Sequence, residues 1–184
     1  TKNLLLSLVL FTSSTPCLFA ADWPMWGRDG SRNMVSDEKG ITFDFSPGEM
    51  GDDEVVDMKT TKNVKWVAKL GSQAYGNVTI GNNRVFVGTN NESPRDEGKK
   101  GDRGVVMCLD EETGALEWQL VIPKLGAGKV SDWEYIGICS STAIEGDIVY
   151  VVTNRCEVVC LDINGLANGN AGPFKDEASY VKPK

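Results

Sequence analysis

Short apolar runs separated by turn residues recur along the chain from residue 63 onward. The runs are rich in valine and alternate in part with polar residues, a pattern typical of β-strands. No run shows the spacing of an amphipathic helix. The pattern predicts strands at 63–70, 72–79, 84–89, 104–109, 115–122, 138–143, 148–153 and 157–162. The sequence therefore predicts an all-β fold of antiparallel strands.

Two parts of this strand pattern repeat one another. Residues 80–90 match 144–154 at a shift of 64, with Ile, Val, an aromatic residue, Val, Thr and Asn in register. Residues 106–110 match 158–162 at a shift of 52, so the first copy carries a 12-residue insertion. Two unrelated hairpins would have no reason to agree in two separate blocks. A repeat of strand–turn–strand units is typical of a propeller or a solenoid.

One turn in the first copy ends in a large aromatic residue. Asp110 can accept hydrogen bonds from the turn backbone, and Gly114 can take a positive φ at little cost. Trp118 follows on a short strand and is large enough to fill a gap between two sheets. Taken alone, this is an ordinary hairpin turn. Within the repeat, the spacing of Asp110, Thr113, Gly114 and Trp118 resembles the blade-docking tryptophan motif of quinoprotein-type (pyrroloquinoline quinone-like) β-propellers.

The resemblance covers residues 22–170 and departs from the family in places. The family often has Ala two residues before the Asp and Lys after the Gly, where Cys108 and Ala115 stand. The opening residues 22–29, with two tryptophans, also resemble the start of such propellers. The resemblance implies blades of four antiparallel strands, one complete and a second without its fourth strand. Closed propellers need about four to eight blades, so we expect the first part of a longer, eight-bladed protein.

The chain divides into three segments. Residues 1–21 have a basic start, a short apolar core and small residues, as in a secretory signal peptide. They predict export to the periplasm or the extracellular space, with a retained anchor as the alternative. Residues 22–62 are polar and acidic and are candidates for closing the propeller ring. Residues 63–184 are expected to hold the blades.

Charge and composition exclude several kinds of partner and functional site. The net charge is −7, which disfavours a nucleic-acid partner. The chain has no histidine, which excludes His-based triads, the usual zinc and copper centres and c-type haem attachment within it. It also lacks the adjacent cysteine pair found in many quinoprotein alcohol dehydrogenases. We therefore predict no catalytic or metal-binding residues here and assign no cofactor-binding residues. Pyrroloquinoline quinone is a candidate cofactor for the full-length protein only.

Four cysteines follow the predicted signal peptide. Cys108 and Cys160 share one repeat position and are predicted to be small apolar residues on buried third strands. Cys139 and Cys156 lie near the meeting ends of two adjacent predicted strands. A Cys139–Cys156 disulfide is therefore geometrically feasible, and export would permit it. Two free thiols are the alternative.

The predicted strand order places several loops on one face of the fold. We define this loop face by six candidate binding residues, namely Asn90, Arg95, Asp132, Trp133, Asn154 and Arg155. The segment 91–103, which contains the insertion, is dense in mixed charge and is either a solvated surface loop or a binding lip. The face resembles the cofactor-bearing mouth of quinoprotein propellers.

Two functional hypotheses remain. The first is an exported, non-catalytic binding or assembly scaffold that takes a protein or small molecule at the loop face and does not span a membrane. The second is the N-terminal part of a pyrroloquinoline quinone-dependent alcohol or sugar dehydrogenase. The first is favoured because the sequence contains repeat and turn chemistry but no nucleophile, base or metal constellation.

Overall fold

A computed structural model describes residues 21–126 and 133–167 of the chain. Within these residues the regular structure is nine β-strands in three antiparallel sheets, with one 3-10 turn and no α-helix. The predicted all-β fold is thus confirmed for this part. Residues 1–20 of the predicted signal peptide and loop-face residue Asp132 lie outside the described residues. No helix in the described ranges is long and apolar enough to cross a membrane.

The N-terminal segment carries a small sheet of its own. It contains β1 (Glu49–Met50) and β2 (Val56–Asp57), followed by the 3-10 turn Met58–Thr60. Farther upstream, Trp23 and Ile80 exchange two backbone hydrogen bonds of 2.8 and 2.9 Å. The Pro24 carbonyl accepts from the Ile144 N–H at 2.7 Å. Residues 23–24 therefore bridge the two larger sheets at their first strands.

The first large sheet, sheet 1, has four strands in sequence order. They are β3 (Thr79–Gly81), β4 (Arg84–Asn90), β5 (Arg103–Asp110) and β6 (Leu116–Pro123). Strands β4 and β5 are buried along almost their whole length because both faces of the sheet are covered. Asn82 and Asn83 join β3 to β4 with φ values of 52° and 62°, as a type I′ hairpin requires.

The second large sheet, sheet 2, has three described strands. They are β7 (Ala143–Glu145), β8 (Ile148–Val152) and β9 (Val158–Asp162), again in sequence order. Gly146 has a positive φ of 57° at the first central position of the β7–β8 turn, as in a type II′ hairpin. The strands of sheet 2 are shorter than those of sheet 1, and β9 alternates between exposed and half-buried residues.

Sheet 1 lies between two apolar layers. One face, which includes Phe86, Val106 and Trp118, packs against the face of sheet 2 that carries Val149 and Val151. The other face packs against the extended segment 66–70, to which it presents Val85, Val87, Val105, Met107, Leu109 and Val121. The order of the layers is therefore segment 66–70, sheet 1 and sheet 2.

Three strand predictions were wrong in detail. The predicted strand 63–70 belongs to no ladder among the described residues, and Asn63 has a positive φ of 54°. The first strands of both sheets are shorter and begin later than the predicted ranges 72–79 and 138–143. The reason is that side chains replace strand partners there. The Thr89 hydroxyl accepts from the Gly71 N–H at 3.0 Å, and the Ser141 hydroxyl accepts from the Asn77 N–H at 2.9 Å.

Candidate functional site

The turn between β5 and β6 is held by Asp110. Its Oδ1 accepts from the Thr113 N–H at 2.7 Å and from the Thr113 hydroxyl at 2.6 Å. The Asp110 carbonyl accepts from the Gly114 N–H at 2.8 Å, and Gly114 has a φ of 72°. These bonds favour the charged carboxylate, so the pKa of Asp110 lies below its usual value, with the Thr113 hydroxyl as the largest cause. The turn is thereby fixed ahead of Trp118.

Trp118 joins sheet 1 to sheet 2. It is 6% exposed, and its ring centroid lies 5.8 Å from that of Phe86 at a tilt of 60°. Its Nε1 donates to the Ile163 carbonyl just after β9, at 2.9 Å. A Cβ on Gly165 would lie 2.8 Å from the Trp118 ring, so only glycine fits beneath it. The tryptophan therefore fills the gap between the sheets and forms a hydrogen bond across it.

The same contact occurs one unit earlier, at Trp66. The Trp66 Nε1 donates to the Glu111 carbonyl at 2.9 Å, and a Cβ on Gly114 would lie 2.4 Å from the Trp66 ring. Both tryptophans bond a carbonyl 45 residues later. Sequence reasoning missed Trp66 and Gly165. The signal was present, because the 52-residue shift between third strands also relates Trp66 to Trp118.

Arg84 provides a polar link between the same two sheets. Its Nε donates to Glu117 on β6 at 2.7 Å, and its Nη2 donates to Asn164 after β9 at 3.1 Å. This ion pair is about two-thirds buried or more on both side chains. The Cys108 thiol lies 4.0 Å from the same Glu117 carboxylate, and burial raises its pKa to about 12. That thiol is therefore neutral and unreactive at ordinary pH.

The other three cysteines are all exposed. Cys160 is exposed, so its predicted burial was wrong. Its side of sheet 2 is not covered by any described residue, whereas the same side of sheet 1 is covered by sheet 2. Cys139 and Cys156 are both free and exposed in this structure, as in the alternative of two free thiols. Cys156 lies in the β8–β9 turn with a φ of 59°, and its N–H bonds to the Thr153 carbonyl.

On the loop face, Asn90 is a structural residue. It is fully buried at the end of β4. Its Oδ1 accepts from the backbone N–H groups of Ser72 and Glu92 at 3.0 and 3.1 Å. Its Nδ2 donates to the Ser72 hydroxyl at 2.9 Å and to the Tyr135 carbonyl at 2.6 Å. Both polar atoms of the Asn90 side chain are thus hydrogen-bonded, and these bonds connect three loops.

Three other loop-face residues gather around Lys124. The Lys124 ammonium donates to the Trp133 carbonyl, the Arg155 guanidinium donates to the Lys124 carbonyl at 3.1 Å, and Asn154 donates to the neighbouring Pro123 carbonyl at 3.2 Å. The Trp133 side chain itself is 68% exposed. Lys124 also pairs with Asp102 at 3.2 Å, and both side chains are about four-fifths buried. The loops are therefore closed by their own polar groups, with Trp133 as a protruding aromatic residue.

Arg95 lies elsewhere on the loop face. Its guanidinium donates to the carbonyls of Lys69 and Ser93, and burial lowers its pKa. Ser93, whose carbonyl Arg95 bonds, lines a groove of about 620 Å³ between the β1–β2 sheet and residues 67–72. A Lys69–Glu54 ion pair of 2.7 Å lies in this groove, so its charges are already compensated. The structure therefore separates Arg95 from the group around Lys124.

The described residues contain no cluster of three or more His, Cys, Asp or Glu side chains that could hold a metal ion. What the geometry defines is a protein of stacked antiparallel sheets joined by tryptophan contacts, with loops held by backbone-directed side chains. No protein-family model matches the chain, and no curated protein matches it significantly.

Proposed function

We propose that this chain forms two blades of a quinoprotein-like β-propeller that serves as an exported binding or assembly scaffold. The observation that carries the proposal is the repeated tryptophan contact. Trp66 and Trp118 each cover a glycine of the next unit and bond a carbonyl 45 residues later. A contact that recurs at one spacing lets further units be added in the same geometry, as repeat proteins require.

The loop face supports a scaffold role over catalysis. Asn90 is fully engaged in structural bonds, and Lys124 pairs with Asp102. Neither arrangement offers a nucleophile next to a base. The exposed Trp133 instead offers an aromatic contact, and aromatic residues are enriched at protein interfaces. A protein or a small molecule is the partner that this residue would suit.

A quinone titration tests the proposal against the dehydrogenase alternative. Pyrroloquinoline quinone is added to the protein while tryptophan fluorescence is followed, and dye reduction is then measured with alcohols and sugars. We expect neither saturable quenching nor substrate-dependent reduction. Both together would overturn the scaffold function in favour of the enzyme.

A second experiment tests the loop face directly. Partners retained by the wild-type protein from an extracytoplasmic extract are compared with those retained by Trp133→Ala and by Trp26→Ala. Trp26 is a matched control because it is 49% exposed in the N-terminal segment, away from the loop face. We expect a discrete partner to be lost with Trp133→Ala only. Equal retention by all three proteins would contradict this site.

A further inference from the structure

Asn164 lies in the turn that follows β9, directly before Gly165. No other asparagine in the described ranges precedes a glycine, and Asn164 is exposed. Because glycine has no side chain, it leaves the peptide nitrogen after an asparagine unshielded. That nitrogen can attack the side-chain amide of the asparagine. The pair Asn164–Gly165 is therefore a candidate for a chemical rearrangement of the backbone.

Two hydrogen bonds to Asp162 hold the turn closed. The Gly165 N–H donates to the Asp162 carbonyl at 2.9 Å, and the Asn164 N–H donates to the Asp162 carboxylate at 2.7 Å. The Gly165 nitrogen is free to react only when the first of these bonds opens. Single turns on a protein surface open far more often than the whole fold unfolds. We therefore expect a slow reaction of the folded protein that is limited by opening of this turn.

Arg84 binds the side-chain oxygen of Asn164. Its Nη2 donates to the Asn164 Oδ1 at 3.1 Å, while its Nε donates to Glu117 at 2.7 Å. The amide oxygen becomes negative when a nitrogen attacks the amide carbon, and a cation hydrogen-bonded to that oxygen stabilises the charge. The folded protein thus places a guanidinium group where the reaction needs one.

The same position is exposed in the complete unit. In sheet 1 all four strands are described, and both neighbouring layers are present. The 52-residue shift relates Asn164 to Glu112, whose side chain is 79% exposed there. The exposure of Asn164 therefore does not depend on how many strands complete sheet 2.

We propose that Asn164 is a site of spontaneous deamidation whose aspartate product binds Arg84. The Gly165 nitrogen bonds to the Asn164 side-chain carbonyl carbon and loses its proton to water, and the side-chain nitrogen takes up a proton and leaves as ammonia. Water then opens the resulting cyclic imide. Cleavage of the new bond gives aspartate, whereas cleavage of the original peptide bond gives isoaspartate. The sum is one water consumed and one ammonia released, so no oxidant or reductant is needed.

The two products have opposite effects on the contact between sheet 1 and sheet 2. Aspartate gives Arg84 a charged acceptor in place of a neutral one, which strengthens the hydrogen bond. Isoaspartate adds a carbon to the backbone just before Gly165, where a Cβ would already lie 2.8 Å from the Trp118 ring. That product therefore displaces the glycine from beneath the tryptophan. The reaction does not involve the loop face, so its failure would leave the proposed function standing.

Peptide mapping of aged protein is the first test. The folded wild type is incubated at mildly alkaline pH and digested with trypsin. Fragment ions of peptide 156–175 separate Asn164 from the Asn168–Gly169 pair, which lies outside the described residues. We expect residue 164 to gain nearly one dalton sooner than any other described asparagine, and Asn164→Gln to show no gain there. An Asn164 that stays intact in the folded protein would overturn the proposal.

An arginine variant tests the part played by Arg84 in the rate. Arg84→Lys keeps a cation beside Glu117 but removes the guanidinium fork that also reaches Asn164. We expect the deamidation rate to fall by about two- to fivefold. Arg103→Lys, at the other end of sheet 1, is the matched control, and its rate should equal that of the wild type. An unchanged or higher rate in Arg84→Lys would overturn the role of Arg84.

The aspartate product is tested directly with Asn164→Asp. We expect its unfolding constant in urea to be smaller than that of the wild type by about two- to fivefold, because Arg84 gains a charged partner. The same substitution in an Arg84→Lys background should give a smaller gain, which a double-mutant cycle measures. Circular dichroism verifies that each variant is folded. A loss of stability, or an equal gain in both backgrounds, would overturn the pairing of the product with Arg84.

Discussion

Sheet 1 and sheet 2 place the same repeat positions in different surroundings. Val106 is fully buried, whereas its counterpart Val158 is 74% exposed. Cys108 is buried, whereas Cys160 is exposed. The residues are identical within each pair and lie on equivalent strands. Burial here is therefore decided by the neighbouring layer in the stack and not by the strand's own sequence, as expected of repeat architectures.

Two equivalent asparagines, Asn90 and Asn154, also differ in how their side-chain atoms are hydrogen-bonded. Asn90 uses both ends of its amide, whereas the equivalent Asn154 donates to Pro123 but leaves Oδ1 buried without a partner among the described residues. A buried polar atom without a partner costs free energy. Sheet 1 contains such an atom too, the Oε1 of Gln119, so unsatisfied atoms do not separate the two sheets. Sheet 1 is the unit flanked on both sides, and the largest losses are expected where its flanking contacts are removed.

The largest effect is expected for Trp118→Ala. The change removes a buried ring between the sheets together with its bond to the Ile163 carbonyl. We expect a loss of about 3–5 kcal/mol in the free energy of unfolding. Urea denaturation measures it, with Trp133→Ala as the control, for which the expected change is within about 0.5 kcal/mol. Equal losses in the two variants would contradict the role of Trp118.

The second effect compares two glycines that both have positive φ. Gly114→Ala adds a methyl against the Trp66 ring as well as backbone strain, whereas Gly101 has nothing within 4 Å of an added Cβ. We expect a loss of about 1 kcal/mol for Gly101→Ala and about 2–4 kcal/mol for Gly114→Ala. Thermal or urea unfolding measures the difference. Similar losses would mean that Trp66 can move away from Gly114.

The β5–β6 turn and the Trp66 contact show how far the sequence could predict the fold. The Asp110 and Gly114 turn and the strands around it were accessible because turn chemistry and apolar runs are local. The pairing of Trp66 with Glu111 was not, because it depends on how two layers stack. The 52-residue shift between the repeats relates Trp66 to Trp118, so applying it to residue 66 would have predicted this contact. The loop face was harder still, since the burial of Asn90 depends on three separate loops.

The two sheets are also expected to differ in the reactivity of their cysteine thiols, which is a smaller effect than the two stability losses. Cys108 is buried with a raised pKa, whereas Cys139, Cys156 and Cys160 are exposed. We expect iodoacetamide at mildly alkaline pH to alkylate the three exposed thiols of the native protein and to spare Cys108 until denaturant is added. Peptide mass mapping identifies the sites. Labelling of Cys160 alone without reductant would instead indicate the Cys139–Cys156 disulfide.

The smallest effect is expected at the turn that follows the third strand of each sheet, where Asp110 and Asp162 lie at equivalent positions. The Asp110 carboxylate accepts two bonds from Thr113, whereas the carboxylate of Asp162 accepts from the Asn164 N–H at 2.7 Å and has no threonine three residues later. Because the pKa of Asp110 is lowered in the folded protein, its contribution to stability is present above its ordinary pKa and is lost as the pH falls through the lower, folded value. Asp110→Asn keeps the turn acceptor but removes the charge. We therefore expect the stability difference between the wild type and Asp110→Asn to be constant at neutral pH and to shrink below about pH 4. Urea unfolding across this range measures it, and a difference that persists undiminished in acid would mean that the charge of Asp110 does not hold the turn.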